Sequence, residues 1–320
     1  MFRVRRRFSM GVACMTDTTS VNMSVPPAKL PVWATVKLAY AAFFGNFGTL
    51  LKLALPWLLL VGGLTYLSMS MMVPWQTAAL EAMKAEQRPP SQPWQMLAAS
   101  WSQVLITLIA GAIIAVAWHR LLLLGERPAL MLNPVRPAVW RYVGALCAMM
   151  LLMAIPLLLF ILPAMLFFRP DFLDPSTLGE AHPIAPSPGF IVLMVAGYIT
   201  TFIVAFYVSS RLMLALPARA VGDNNLNFRT ILNRTKGNTW RVIGGLVACS
   251  FPAMLLVQVS ILSFLEFPKP GIPHGIPNDA QHVFGNLAIM FSVLTAYMLL
   301  VSMIYIGFLS YAYRHFFGAR

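Results

Sequence analysis

Six apolar runs, each long enough to cross a bilayer, alternate along this chain with short polar segments, and few architectures accommodate that pattern. The runs cover about residues Phe47–Val73, Leu97–Trp118, Val139–Phe168, Phe190–Ser210, Trp240–Phe264 and Phe284–Tyr311. A helix needs roughly 20 apolar residues to span the hydrocarbon layer, and every run meets that length. In hydrocarbon, backbone N–H and C=O groups must pair within the protein, which a helix does for itself. The expected fold is all-α, a polytopic transmembrane helix bundle of six spans.

The charges between the runs orient them. The stretch Phe206–Gly245 joins the fourth run to the fifth and carries Arg211, Arg219, Arg229, Arg234, Lys236 and Arg241 against the single acid Asp223. Short loops rich in Lys and Arg stay on the cytoplasmic side of a membrane. Alternating the remaining segments from that anchor puts 19 bases and 3 acids inside, and 4 bases and 7 acids outside. The two sides carry +16 and −3, which recover the +13 of the whole chain. Six of the seven segments then have the sign their side requires, and the seventh, Pro74–Met96, is neutral with two bases and two acids; both termini are expected to be cytoplasmic in a bacterial inner membrane.

Composition excludes the soluble alternatives. With 59% hydrophobic and 10% charged residues, the chain is too apolar for a soluble domain of 320 residues. A nucleic-acid binder gathers its positive charge on a polar folded surface, whereas these bases lie between apolar runs. Anionic lipid headgroups are the expected partners, and nucleic acid is not. Cys14, Cys147 and Cys249 form no CxxC pair, so neither a disulfide nor a metal site is expected.

Residues 1–30 read as a disordered cytoplasmic tail ahead of a six-span domain over 31–320. At its entry, Trp33, Val36, Tyr40 and Phe43 or Phe44 recur at helical spacing, with Lys37 away from that stripe. This is either an amphipathic helix lying in the interface or the first turns of a packed bundle helix. Gly45-Asn46 interrupts it, with Asn46 expected as N-cap of the first span. Residues Pro74–Met96 are expected as an external loop. Leu121–Leu132 is apolar enough to lie in the interface.

The even spans end alike, with Arg120, Arg211 and Arg314 just past the apolar run. Two odd spans begin alike, VWRYVGALCA at Trp140 and TWRVIGGLVA at Trp240, and Pro56, Pro156 and Pro252 fall within the odd spans. Three tandem helical hairpins would account for this. Interfacial Arg and Trp, which any six-span protein needs, account for the helix ends equally well. The prolines should kink their helices, and such kinks line a cavity in some membrane proteins.

Chemistry-bearing groups are few. No Asp or Glu lies in the central part of a span, where ion-coupled carriers place one. The polar candidates there are Gln103, Gln258, Thr107, Thr200, Thr201 and Ser260. HExxH, GxxxxGK[ST] and GxSxG are absent, and no His or Cys cluster has metal-ligand spacing. His119 and His315, each beside an arginine, read as interface anchors, and Glu126 with Arg127 as a structural ion pair. The expected site is instead an anion site. Asn238, as N-cap of the fifth span, would leave backbone N–H groups facing a cluster of Arg and Lys. Its candidate residues are Arg120, Arg211, Arg234, Lys236, Asn238 and Arg241, with a lipid phosphate as ligand. The competing reading is that these bases only enforce topology.

The segments RLMLALPARAVGDNNLNFRTILNRTKGNTWRVIGG and VAWHRLLLLGERP carry a resemblance. The first is similar to the R-x-x-L-x-x-P-A…T-x-G-N-x-W-R pattern of uncharacterised bacterial six-span membrane proteins. These in turn distantly resemble the membrane domain of bacterial glycerophosphoryl diester phosphodiesterases. The resemblance implies a helical inner-membrane protein over residues 31–316 and supplies no catalytic residue. The expected function is non-enzymatic, without cofactor: organising lipids or membrane partners through basic cytoplasmic loops. A lipid or small-molecule transporter with a cavity between kinked helices is the alternative.

Overall fold

The computed structural model describes residues 29–85, 90–126, 136–168, 188–223, 226–264 and 280–318. Most of the N-terminal tail and much of the outer loops expected from the sequence lie outside them. Among the described residues the secondary structure is helical: α1 (Val32–Gly45), α2 (Phe47–Lys84), α3 (Trp94–Leu124), α4 (Pro137–Phe168), α5 (Pro188–Leu212), α6 (Ala215–Val221), α7 (Phe228–Arg234), α8 (Thr239–Phe264) and α9 (Ala280–Phe317). Six of these, α2, α3, α4, α5, α8 and α9, contain windows long and apolar enough to cross a membrane. The chain is a multi-pass membrane protein. Proline opens α4 and α5, in the first turn, where its missing N–H would have no helical acceptor and its fixed φ suits the helix.

The long helices close into a ring in the order α2, α3, α4, α5, α8, α9, and α9 packs back on α2. Chain neighbours α2 with α3, α4 with α5 and α8 with α9 pack as pairs, but α2 packs most extensively on α9, so the contacts do not single out three hairpin units. Contacts near the chain reversals show which ends lie together. His119 of α3 meets Tyr142 of α4, with ring centroids 5.7 Å apart. Arg211 of α5 reaches Thr235 before α8, and Arg234 reaches Phe316 of α9. The ends of α3, α5 and α9 and the starts of α4 and α8 therefore share one end of the bundle, here termed the basic end. Short helices α6 and α7 complete it, α6 packing against α3, α4 and α9.

The core is concentrated toward that end. Trp118, Ile113, Ile114, Leu214, Ile231, Phe308 and Leu309 are fully buried there and belong to one cluster. Toward the opposite end, α5 presents Val192, Leu193, Val195, Ile199, Phe202, Ile203 and Val204 outward, and α8 presents Phe251, Met254, Leu255, Leu256 and Val259. Hydrocarbon surroundings make this exposure inexpensive, because lipid tails are as apolar as the side chains. One contact in the core depends on the absence of a side chain. A Cβ on Gly245 of α8 would run into the Phe308 ring, so any other residue here requires that ring to shift.

Helix α1 packs as a bundle helix, but Trp33, expected on one stripe with Val36, Tyr40 and Phe43 and away from Lys37, lies on the outward face with Lys37. Thr35, Val36, Ala39, Ala42 and Phe43 are buried against α8 and α9, while Trp33, Leu38 and Phe44 face outward. Three further expectations require correction. Asn46 holds the N-cap position of α2, its carbonyl accepting from Leu50 N at 2.9 Å, but its side chain does not cap that helix: Nδ2 donates to Ala42 O at 2.9 Å, closing the end of α1. A side chain between two nearly continuous helices finds the orphan carbonyls behind it as near as the orphan amides ahead. Pro74 lies inside α2, which continues to Lys84. The residues after it, rich in Ala, Leu, Glu and Met, are strong helix formers, and Trp75 Nε1 donates to Pro90 O at 3.0 Å. His119, expected as an interface anchor, is fully buried against α9, its Nδ1 lying 2.7 Å from Ser310 Oγ.

Candidate functional site at the basic end

The segment from α6 to α8 supplies three of the six sequence-predicted site residues, Arg234, Lys236 and Asn238, and much of the site's polar capacity is used internally. Asn227 starts α7, its Oδ1 accepting from Thr230 N at 3.2 Å. At the other end of this short helix, Arg211 Nε donates to Thr235 Oγ1 at 2.9 Å and Nη2 donates to Leu232 O. A guanidinium against the last carbonyls of a helix is favourable both as a donor and against the helix dipole. The Arg211 guanidinium also lies 5.9 Å from the Tyr207 ring centroid.

The TKGNTWR segment then turns into α8 through Gly237 at φ +79°, a conformation that disfavours any Cβ. The carbonyl of Asn238 accepts from Val242 N, as an N-cap should, but its side chain is turned elsewhere. Asn238 Oδ1 accepts from Leu30 N at 2.9 Å, and Arg241 Nη1 donates to Leu30 O at 3.0 Å. Two side chains one helical turn apart thus satisfy both backbone groups of a fully buried residue just ahead of α1. The motif that suggested an anion site is, at Asn238, a clamp on the entry to the first helix.

Arg120 is held in the same way. Its Nε and Nη2 bind Glu126 at 2.8 and 2.6 Å, and Nη1 donates to Ala220 O at 3.2 Å. The expected ion pair of Glu126 is therefore made with Arg120; Arg127 lies outside the described residues. The hydrogen bonds from Arg120 hold the Glu126 carboxyl below the usual carboxylate range, and the charges of Arg120 and Arg136 add to this.

Three of the six candidates keep their charged heads at the surface. Arg234 is exposed, with one weak bond to Phe316 O at 3.4 Å and its guanidinium 5.7 Å from the Phe317 ring centroid. Arg241 is exposed beyond its bond to Leu30. Lys236 is exposed without a polar partner among the described residues. Beside them stands Trp240, 70% exposed at the first turn of α8. Trp140, at the first turn of α4, is likewise exposed, as is Trp33 of α1. Indoles in this position are what a membrane interface favours.

Among the described residues, two buried side-chain atoms lack hydrogen-bond partners: His119 Nε2 and Thr239 Oγ1. Sequence reasoning missed the clamp on Leu30 and the role of Thr235, because each partner is a backbone group with no residue-type signature. It also missed Lys29, exposed one residue before the clamp. Comparisons with family models, with curated proteins and with solved structures find no match to this chain.

Proposed function

We propose that this protein is a non-enzymatic integral membrane protein that gathers anionic lipids at its basic end, in a bacterial inner membrane with both termini in the cytoplasm. The observation that carries the reading is the exposed group Arg234, Lys236 and Arg241 beside Trp240. Cations within a Debye length of an anionic leaflet are attracted to it, and an adjacent indole sets their depth at the headgroup level. The structural commitments of Arg120, Arg211 and Asn238 narrow the surface to these three bases. Behind them, the junction of the long helices is filled by Trp118, Phe308 and their neighbours, which supports a packed scaffold over a transport route. The resemblance to membrane domains that accompany phosphodiesterases is consistent with a role beside lipids and brings no catalytic group.

Native mass spectrometry of the protein gently extracted from its own membrane tests the reading. The original protein should retain anionic phospholipid, and a variant carrying Arg234→Gln and Lys236→Gln should retain much less. Equal retention by a variant that stays folded would reduce these bases to topology signals.

A further inference from the structure

We infer that the anionic-lipid surface is composite, built from two segments some two hundred residues apart in the chain, Lys29–Lys37 and Lys236–Arg241, and that it binds the phosphate of a membrane phospholipid. This rests on the lipid reading above and names where that lipid sits. The Leu30 clamp brings the segments together. With the Leu30 N–H held by Asn238 and its carbonyl by Arg241, the backbone of Lys29 is fixed next to the turn that carries Lys236. Lys29 and Lys236 are both exposed, and neither has a polar partner among the described residues.

The aromatic groups repeat the pairing. Trp33 follows the clamped residue by three positions and is 71% exposed; Trp240 follows Asn238 by two and is 70% exposed. Trp33 and Lys37 are one helical turn apart on the outward face of α1, so the same stripe offers an apolar ring and a cation. The charge of Arg241 and the positive end of α8 add to the field, and the buried hydroxyl of Thr239 in that first turn is without a partner. Two joined segments that each offer a cation and an exposed indole suit a phosphate joined to acyl chains. A free phosphate would make no use of the rings, and a soluble polyanion would leave them against water.

The test measures phosphatidylglycerol retained by the protein in phosphatidylcholine nanodiscs doped with that lipid, comparing Lys29→Gln, Lys236→Gln and Arg136→Gln. Arg136 is an exposed base whose charge acts on Glu126 at another corner of the basic end, so it controls for general charge. All three substitutions are at exposed side chains, and unchanged melting will verify the fold. Lys29→Gln and Lys236→Gln should each weaken retention about fivefold, with Arg136→Gln close to the original. Loss with Lys236→Gln alone would overturn the composite site and leave the simpler lipid reading standing. No loss with either lysine would overturn both. Equal loss with all three would show unselective attraction to the anionic surface and overturn the specific site.

Discussion

The Tyr40 hydroxyl of α1 donates to the carbonyl oxygen of Ala248 in α8 at 3.4 Å, and that carbonyl is the one Pro252 deprives of its helical donor. The same hydroxyl lies 3.3 Å from Cys249 O. A proline four residues on removes the N–H that would have bonded Ala248, and in a membrane no water replaces it. Helix α1 therefore does more than cover apolar surface: it supplies a hydrogen bond that the fifth span lacks.

Tyr40→Phe should destabilise the protein by about 0.5 kcal/mol, the low end for losing one such bond, because 3.3–3.4 Å is long for an O–H donor. Pro252→Ala restores the internal donor, so the Tyr40→Phe penalty should shrink in that background. A double-mutant cycle of unfolding in detergent measures this. An undiminished penalty would mean that the phenol stabilises α8 through some other contact.

Gly245 and Gly244 make a matched pair. A methyl at Gly245 meets the Phe308 ring, whereas one at Gly244 has nothing within 4 Å. Gly245→Ala should cost about 1–3 kcal/mol through overpacking, partly relieved by Phe308→Leu. Gly244→Ala should be neutral or slightly stabilising, since alanine is the better helix former. Thermal melting of the three variants checks the contrast.

Asn238→Ala removes the acceptor for Leu30 N–H and leaves a buried donor unpaired, a loss of about 1–3 kcal/mol. The effect should be local. Hydrogen exchange should quicken through the first turn of α1 and stay unchanged in α9. Uniform quickening through both helices would place the clamp in the global fold instead.

The Glu126 carboxyl titrates below its ordinary value because Arg120 stabilises its charged form. Its contribution is then present at neutral pH, above the unfolded-state value, and is lost as pH falls through the lower folded-state value. The melting temperatures of the original protein and Glu126→Gln should differ slightly near neutrality and converge in acid. Salt should narrow the gap, since the pair is partly exposed. A gap that widened on acidification would reverse the assigned sign.

The spans were legible because each is a local sum. The runs beginning near Phe47, Val139 and Trp240 differ from their helices by two residues or fewer at the start. The error at Pro74 arose from ending the helix where the apolar run ends, although strong helix formers followed it. The candidate site was less legible. The bases were identified from sequence, but whether each head was free depended on partners that no local pattern names.

Two arginines illustrate the division. Arg211 and Arg241 are both loop-end cations in the sequence, and the charge pattern assigns them the same role. Which backbone carbonyl each one meets, Leu232 O or Leu30 O, depends on how helices far apart in the chain come to pack. By itself the sequence determined that the chain enters a membrane and how many times it crosses. Transfer free energy and loop charge add up residue by residue along the chain, so no folded neighbour is needed to evaluate them. Only the tertiary structure decided which polar groups are spent on the protein and which stay exposed. A hydrogen bond requires its partner within about 3 Å, and packing alone brings distant segments that close.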